Sequence, residues 1–516
     1  MPDIEEGQQV VTVGRSEPIQ PGQATMEKSL PVAIASDQSP IPILDNLSAP
    51  SEVRDDLLGN PRIQTSLSIW DSVNILDIDP KLWKKTQVLE GSPLFSTVTH
   101  LPLESGAQLL VNSNAPNSTQ AQLQSRLVFP YQTGRITDAS FGISLLLNQN
   151  ATHEAGIYDE KNGYIVRFIG DEVFFVRRTN SGETPQNNGA PAGSTDFTVT
   201  DPTSIYFQHR YRLLPEDPSV MEEIVPRSAF TGDKLDGVFP SVHTLSLSNV
   251  TMFRIQMGWY GGSACKLLAY VPIDENLPQG SEPKNARWVT IHQINTCDRI
   301  PFPSLGNPNV PLTFRVEKNG SLPQAVFLKI YGTKVEIDGG DATKFDIYSR
   351  ASSAVQINPG VQRPLISIRC KENIVNNQGA ITKNILRAVP LYANLSSTNR
   401  TKFTLIKNAS GIVINGETVD PQEQSIAWSS AGQLSAIEVN TTASGITGGQ
   451  VITTFFTGDQ DGQNLDLTEI FRYNREFLTR PISNEAGQAG DVLTLVAESL
   501  AASGNTVAGS LTWGER

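Results

Sequence analysis

The side chains best suited to proton transfer or metal ligation near neutral pH are five histidines: His100, His153, His209, His243 and His292. No two lie within five residues of each other, so no His-Glu-x-x-His helix or local metal pair is written in the sequence. A Gly-x-Ser-x-Gly elbow, a Walker A loop and a Gly-x-Gly-x-x-Gly fingerprint are absent too. The glycine-rich run Gly258-Trp-Tyr-Gly-Gly-Ser-Ala-Cys265 joins two strand-like segments. It reads as a hairpin turn, because a phosphate cradle needs a helix N-terminus behind it. Asp459, Asp461 and Asn464 offer oxygens, but their spacing fails the calcium-loop pattern, and a turn before a helix is expected there. Asp233 and Asp236 read as a turn or a polar anchor. Cys265, Cys297 and Cys370 have no Cys-x-x-Cys spacing and are odd in number, so reduced core thiols and a reducing compartment are expected. The expectation is a protein without catalytic residues, cofactor or metal. Asn-x-Ser/Thr triplets at Asn117, Asn150, Asn249 and Asn394 follow from composition alone.

The elements that must position any site are strands. Of 516 residues, 40 are Gly and 33 Pro, so the chain turns often and favours short strands over long helices. Thr251-Met-Phe-Arg-Ile-Gln-Met-Gly-Trp259 places Phe253, Ile255, Met257 and Trp259 on one face. Ala325–Tyr331 reads as a strand buried on both faces, and Asn162-Gly163 and Gly170-Asp171 read as hairpin turns. The segment 180–194 reads as a long, mobile loop. Val451–Phe456, Val492–Ala497 and Val507–Trp513 read as strands of a further domain, with Val451–Phe456 and Val492–Ala497 buried. One helix is expected near 467–478, capped by Asp466 with Glu469 three residues on. The fold class is therefore all-β: two or more β-sandwich or jelly-roll-like domains behind an extended N-terminal arm. The arm spans 1–60, one sandwich 61–375, and a second sandwich 376–516. In the arm, Pro31, Pro40 and Pro42 oppose a helix, while Val32, Ile34, Ile41 and Ile43 are apolar anchors for a partner's pockets or sheet edge.

The net charge of −13 argues against a nucleic-acid partner. No apolar run approaches the ~18 residues of a membrane span, and the acidic N-terminus lacks the apolar core of a secretory leader. The expected place of synthesis is a cytoplasm. Exposed aromatics such as Trp259, Tyr260, Trp288 and Trp428 are candidates for stacking on sugar rings.

The arm segment Leu30-Pro-Val-Ala-Ile-Ala-Ser-Asp-Gln-Ser-Pro-Ile-Pro-Ile43 resembles a stretch near the N-termini of virion structural proteins of tailed bacteriophages, especially those of cyanobacteria and other aquatic bacteria. Further blocks are similar to the same proteins: Phe141-Gly-Ile143, Gly156–Gly163 and Phe174–Arg178; Asp233–Gly237 and Phe253–Gly261; and Leu465-Asp-Leu467, Arg475-Glu-Phe477, Asp491–Val496 and Leu511-Thr-Trp513. The resemblance implies a tail, baseplate or fibre-attachment component of a virion that works through subunit assembly. The alternatives are a receptor- or glycan-binding tail protein and a neck or head-decoration protein. It implies other virion proteins and further copies of the chain as partners, as trimers or sixfold sets, with a host-surface glycan as a further ligand. It carries over no catalytic residue, and the absence of a shaft repeat or receptor-binding tip favours an adaptor over a full fibre.

Overall fold

The computed structural model describes residues 66–515 except 81, 88–94, 239, 263, 273–284, 339–345, 372, 376–380, 384–387, 421–427, 433, 434, 469 and 472–490. The arm, with Val32, Ile34, Ile41 and Ile43, lies outside the described residues. Among those residues no helix is long and apolar enough to cross a membrane.

The chain is all-β and antiparallel throughout its named ladders. Seventeen strands build the first sandwich: β1 (Leu67–Ser72), β2 (Trp83–Gln87), β3 (Ser96–Leu101), β4 (Gly106–Val111), β5 (Gln120–Phe129), β6 (Thr137–Leu146), β7 (Ala151–Tyr158), β8 (Gly163–Ile169), β9 (Glu172–Thr179), β10 (Asp196–Thr198), β11 (Arg210–Leu213), β12 (Met221–Pro226), β13 (Thr251–Met257), β14 (Ala264–Pro272), β15 (Ala286–Asn295), β16 (Val310–Lys318) and β17 (Val326–Ile337). One sheet runs β15-β14-β13-β6-β17-β4-β3, with β1 also on β17; the other runs β10-β11-β12-β9-β8-β7-β16-β5-β2.

The period-2 pattern explains the layering. Phe253, Ile255 and Met257 of β13 are all buried, and they face Phe141, Phe168 and Phe314 in one apolar core. Phe141 meets Phe314 edge-on with ring centres 5.4 Å apart, and Phe168 meets Phe253 at 5.8 Å, which stitches one sheet to the other. Trp259 departs from the expected pattern. The strand ends at Met257, so the indole sits beyond the ladder, half-buried against the core's rim. β17 also departs. Val326, Leu328 and Ile330 are buried while Phe327, Lys329 and Tyr331 are half-exposed, so one face only is covered. Gly163 (φ 134°) and Gly170 (φ 56°) occupy the expected turns, and at Gly163 an added Cβ would lie 2.3 Å from the Ile157 carbonyl oxygen.

A second sandwich has its own core of Ile366, Ile368, Cys370, Phe403, Leu405, Leu493, Leu495, Leu511 and Trp513. Asn505–Glu515 pairs with Asp346–Ala351 and Ala388–Ser397, and Gln362–Cys370 pairs with Val492–Ser499 and Ile437–Asn440. The seam between the two strand systems therefore falls between Ile337 and Asp346, ahead of the expected 375/376 boundary. Long-range register, which local pattern does not encode, decides it. Val492–Ala497 is buried as expected, whereas Val451–Phe456 belongs to the strand Gln450–Thr457 at the sheet's edge and is exposed to half-exposed along that run. The expected turn is present at Asp459-Gln460, but it leads into a strand, Asp461–Asp466, before the segment of the expected helix. Asp466 Oδ1 accepts the Thr468 amide, and the Phe471 amide donates to the Leu467 carbonyl, so the expected cap and first helical bond are present. Residues 472–478, where the helix is expected to continue, lie outside the described residues. Cys265 and Cys370 are buried and in no disulfide, as expected; Cys297, expected in a core, is exposed.

Candidate functional site

The nine-stranded sheet has an outer face opposite the apolar core, and strand alternation loads it with charge. β7 sends Thr152, Glu154 and Tyr158 outward, and its neighbours answer in register: Arg315 of β16 and Arg167 of β8 both lie opposite Glu154. On the next strands Arg178 of β9 lies opposite Glu222 of β12, and Glu222 opposite Arg212 of β11. Two cross-strand rows of alternating sign result, Arg315–Glu154–Arg167 and Arg178–Glu222–Arg212.

These pairs are buried and multidentate. Arg167 donates its Nη1 and Nη2 to Glu222 (2.9 and 2.7 Å) and its Nε to Glu154 (2.7 Å). Arg178 donates Nε and Nη2 to Glu222 Oε1 at 3.0 and 2.8 Å, and Arg212 donates Nε and Nη2 to Glu222 Oε2 at 3.0 and 2.8 Å. Glu154 Oε2 accepts the Tyr158 hydroxyl at 3.2 Å and lies 2.9 Å from Arg315 Nη2. The Glu154 and Glu222 side chains are both wholly enclosed. Burial pushes the Glu154 carboxyl up, but Arg315, Arg167 and Arg178 together outweigh it and hold it at about 2. Burial likewise opposes ionisation of Glu222, and Arg167 and Arg178 overcome it.

Above these charges lies a cleft of about 360 Å³, floored by Glu154, Arg167, Arg178, Arg212 and Arg315. The turn carrying Leu214, Pro215 and Glu216 forms one wall, and Glu317, Asn319, Thr152 and Phe174 complete the lining. Glu317 is pushed up by burial, with Arg315 only partly offsetting it, and it sits 3.5 Å from Arg315 Nη2. At the rim, Arg210 pairs with Asp196, both about half exposed. The buried Nε of Arg315 has no hydrogen-bond partner.

The inward face of the same strands carries a second network. Arg177 donates Nε to Glu223 (2.8 Å), Nη1 and Nη2 to Glu183 (2.8 and 2.9 Å), and Nη1 to the Ser304 carbonyl (3.0 Å). Glu223 Oε1 also meets His209 Nδ1 (3.0 Å) and the Tyr211 hydroxyl (2.9 Å). The segment 180–194, expected as mobile, is thus pinned through buried Glu183 and the short turn Pro185–Asn188.

Strand pairing gathers His209 and His292, far apart in sequence, to ring centres 6.0 Å apart. Burial and the His209 charge lower His292 to about 4. His153 is fully buried, and His100 Nε2 lies 2.8 Å from the Asn74 carbonyl oxygen. Asp233 is a buried anchor accepting the Leu235 and Ser241 amides. Asp459 accepts the Arg400 amide. Among the described residues no group of three or more acidic, His or Cys side chains is placed to hold a metal ion. Of the candidate stacking aromatics, Tyr260 is exposed, Trp288 is covered by Arg254 and Trp428 lies against Arg369. None lines the cleft. Sequence reading missed the cleft residues, although the doublets Arg177-Arg178 and Glu222-Glu223 inside apolar strands were their visible trace.

No family model matches the chain, and no curated protein does. Among solved structures, a prokaryotic β-1,3-1,4-glucanase (lichenase) derived from a mouse hindgut metagenome is 10% identical over 52% of this chain and 97% of its own, with a TM-score of 0.27. The Bacillus licheniformis β-glucanase is 11% identical over 53% of this chain and 98% of its own, also at 0.27. A legume lectin-like domain from Entamoeba histolytica is 6% identical over 53% of this chain and 98% of its own, at 0.26. At such TM-scores no activity or ligand follows from the likeness.

Proposed function

We propose that this chain is a non-enzymatic structural component of a tailed-phage virion, in the tail, baseplate or fibre-attachment region, that holds a host-surface glycan in the cleft of its first sandwich. The virion part rests on the sequence blocks quoted above, with the arm and its Val32, Ile34, Ile41 and Ile43 engaging neighbouring subunits. The glycan part is carried by one observation: a cleft on a solvent-facing sheet whose polar groups are planar, multidentate and locked by buried partners. Guanidinium, carboxylate and amide edges match adjacent sugar hydroxyls, and Phe174 offers an apolar surface for a ring face. The volume falls in the lower part of the ~300–1,000 Å³ range of small-ligand sites.

One observation favours a hydrolase reading. Glu154 and Glu317, one lowered and one raised, both approach Arg315 Nη2. Enclosure weighs against it: Glu154 has no exposed side-chain surface, so its oxygens cannot reach an anomeric carbon. Release of reducing ends from host polysaccharide, abolished by Glu317→Gln, would replace the binding reading with an enzymatic one.

Particles formed with the full chain and with a chain lacking residues 1–60 test the assembly role. Quantitative mass spectrometry of purified virions should find the full chain at fixed multiple copies and the truncated chain absent. Truncated protein incorporated at normal copy number would remove the arm from the mechanism; absence of the full chain from particles would remove the virion.

A further inference from the structure

The charge balance of the cleft goes further than its shape. Four guanidinium groups, Arg167, Arg178, Arg212 and Arg315, share two enclosed carboxylates, Glu154 and Glu222. Those carboxylates are wholly enclosed and already engaged. Glu222 already accepts six donor contacts from three arginines, and Glu154 serves Arg167, Tyr158 and Arg315. What remains facing the cleft is donor-rich. The Arg212 and Arg315 side chains keep 32% and 22% of their surface. The rim does not remove the excess from the floor: Arg210 and Asp196 cancel each other. Two carboxylates stand nearer the mouth, half-buried Glu317 beside Arg315 and exposed Glu216 on the lip.

Building on the glycan-binding reading above, we infer that the ligand is an acidic sugar presenting one isolated oxyanion, seated against Arg315 and Arg212. The part-exposed guanidinium groups of Arg212 and Arg315 hold a planar oxyanion with charge-assisted bonds that a hydroxyl cannot match. Glu317 and Glu216 set the limit. They repel a continuous run of negative charge, so a chain with spaced acidic residues fits and a densely charged polymer does not.

The test uses the full chain and defined probes. Hyaluronan octasaccharide carries spaced carboxylates, its carboxyl-reduced form is a neutral match, κ-carrageenan octasaccharide carries spaced sulfates, and dextran sulfate is densely charged. A glycan array of acidic and neutral chains sets the breadth. Spaced acidic chains should bind at least tenfold more tightly than their neutral counterparts and dextran sulfate, with affinity falling as salt rises. Comparing the hyaluronan and carrageenan arms separates carboxylate from sulfate as the source. Arg212→Gln and Arg315→Gln should each erase the preference; Arg212, on the exposed edge, serves should Arg315→Gln fail to fold. Equal binding of reduced and acidic chains would overturn the inference and leave the glycan reading standing. No binding to any chain on the array would overturn both.

Discussion

Replacing Glu154 by Gln keeps the shape of the side chain and removes one charge from beneath three guanidinium groups. The magnitude follows from linkage. The ordinary carboxyl value is 4.5, and the folded one is about 2. A group whose folded pKa is depressed stabilises above its unfolded pKa and loses that contribution as pH falls toward its folded pKa. At about 1.4 kcal/mol per pH unit, Glu154 contributes about 3 kcal/mol at pH 7, about 1 at pH 3 and little at pH 2. The neutral-pH figure agrees with the ~3–5 kcal/mol cost of breaking a buried ion pair by removing one partner. Urea titration at several pH values supplies the assay, read through tryptophan emission, since Trp70 and Trp83 lie in the first sandwich's core with ring centres 4.8 Å apart. The gap between wild type and Glu154→Gln should be largest at pH 7 and close as the pH approaches 2. A gap that stays constant with pH, or one below about 1 kcal/mol at pH 7, would refute the view that the arginines hold this carboxylate ionised.

Two further outcomes are expected. Trp513→Ala should destabilise the second sandwich by about 3–5 kcal/mol, because the indole is fully buried and its Nε1 donates to Glu515 Oε1 at 2.7 Å, whereas Trp259→Ala, at a half-buried rim position, should cost clearly less; denaturant titration of both variants measures the order. A thiol reagent applied to the native chain should label Cys297 rapidly and leave Cys265 and Cys370 unreacted until unfolding, as mapped by peptide mass spectrometry.

The period-2 runs were enough to name the fold class, because a half-buried strand must alternate and residues 251–257 and 507–513 do so plainly. Turns were legible for the same local reason: Gly163 and Gly170 sit where positive φ is required. Failures came wherever a distant partner decides. Val451–Phe456 is apolar enough for a core strand, but pairing on one side alone leaves it at an edge. Asp346–Ala351 and Gln362–Cys370 follow the first sandwich in sequence and pair with Asn505–Glu515 and Val492–Ser499 of the second, more than a hundred residues downstream. The cleft was hidden by the same non-locality. Arg177-Arg178 and Glu222-Glu223 are visible as doublets, and alternation alone predicts one member on each face. That Arg178 meets Glu222 while Arg177 meets Glu223 depends on the register between β9 and β12.

That register also bears on why the charges are there. Buried ion pairs are a weak source of stability, since well-packed apolar residues of similar volume serve as well or better. The inward network has a structural reason, because Arg177 ties β9 to β12, to Glu183 and to the Ser304 carbonyl, fastening two loops to the sheet. The outward network reaches one tight turn, where Arg178 Nη1 donates to the Asp159 carbonyl, and otherwise ties strand to strand. Its carboxylates are enclosed, its arginines share them, and Arg212 and Arg315 keep part of their surface open at the cleft. For stability alone, apolar side chains would cover this face at lower desolvation cost. What the charged rows provide instead is a set of guanidinium groups whose rotamers are fixed before any ligand arrives, so that binding loses little side-chain entropy. Preorganised donors on a rigid sheet explain both the burial and the sharing of two carboxylates among four arginines.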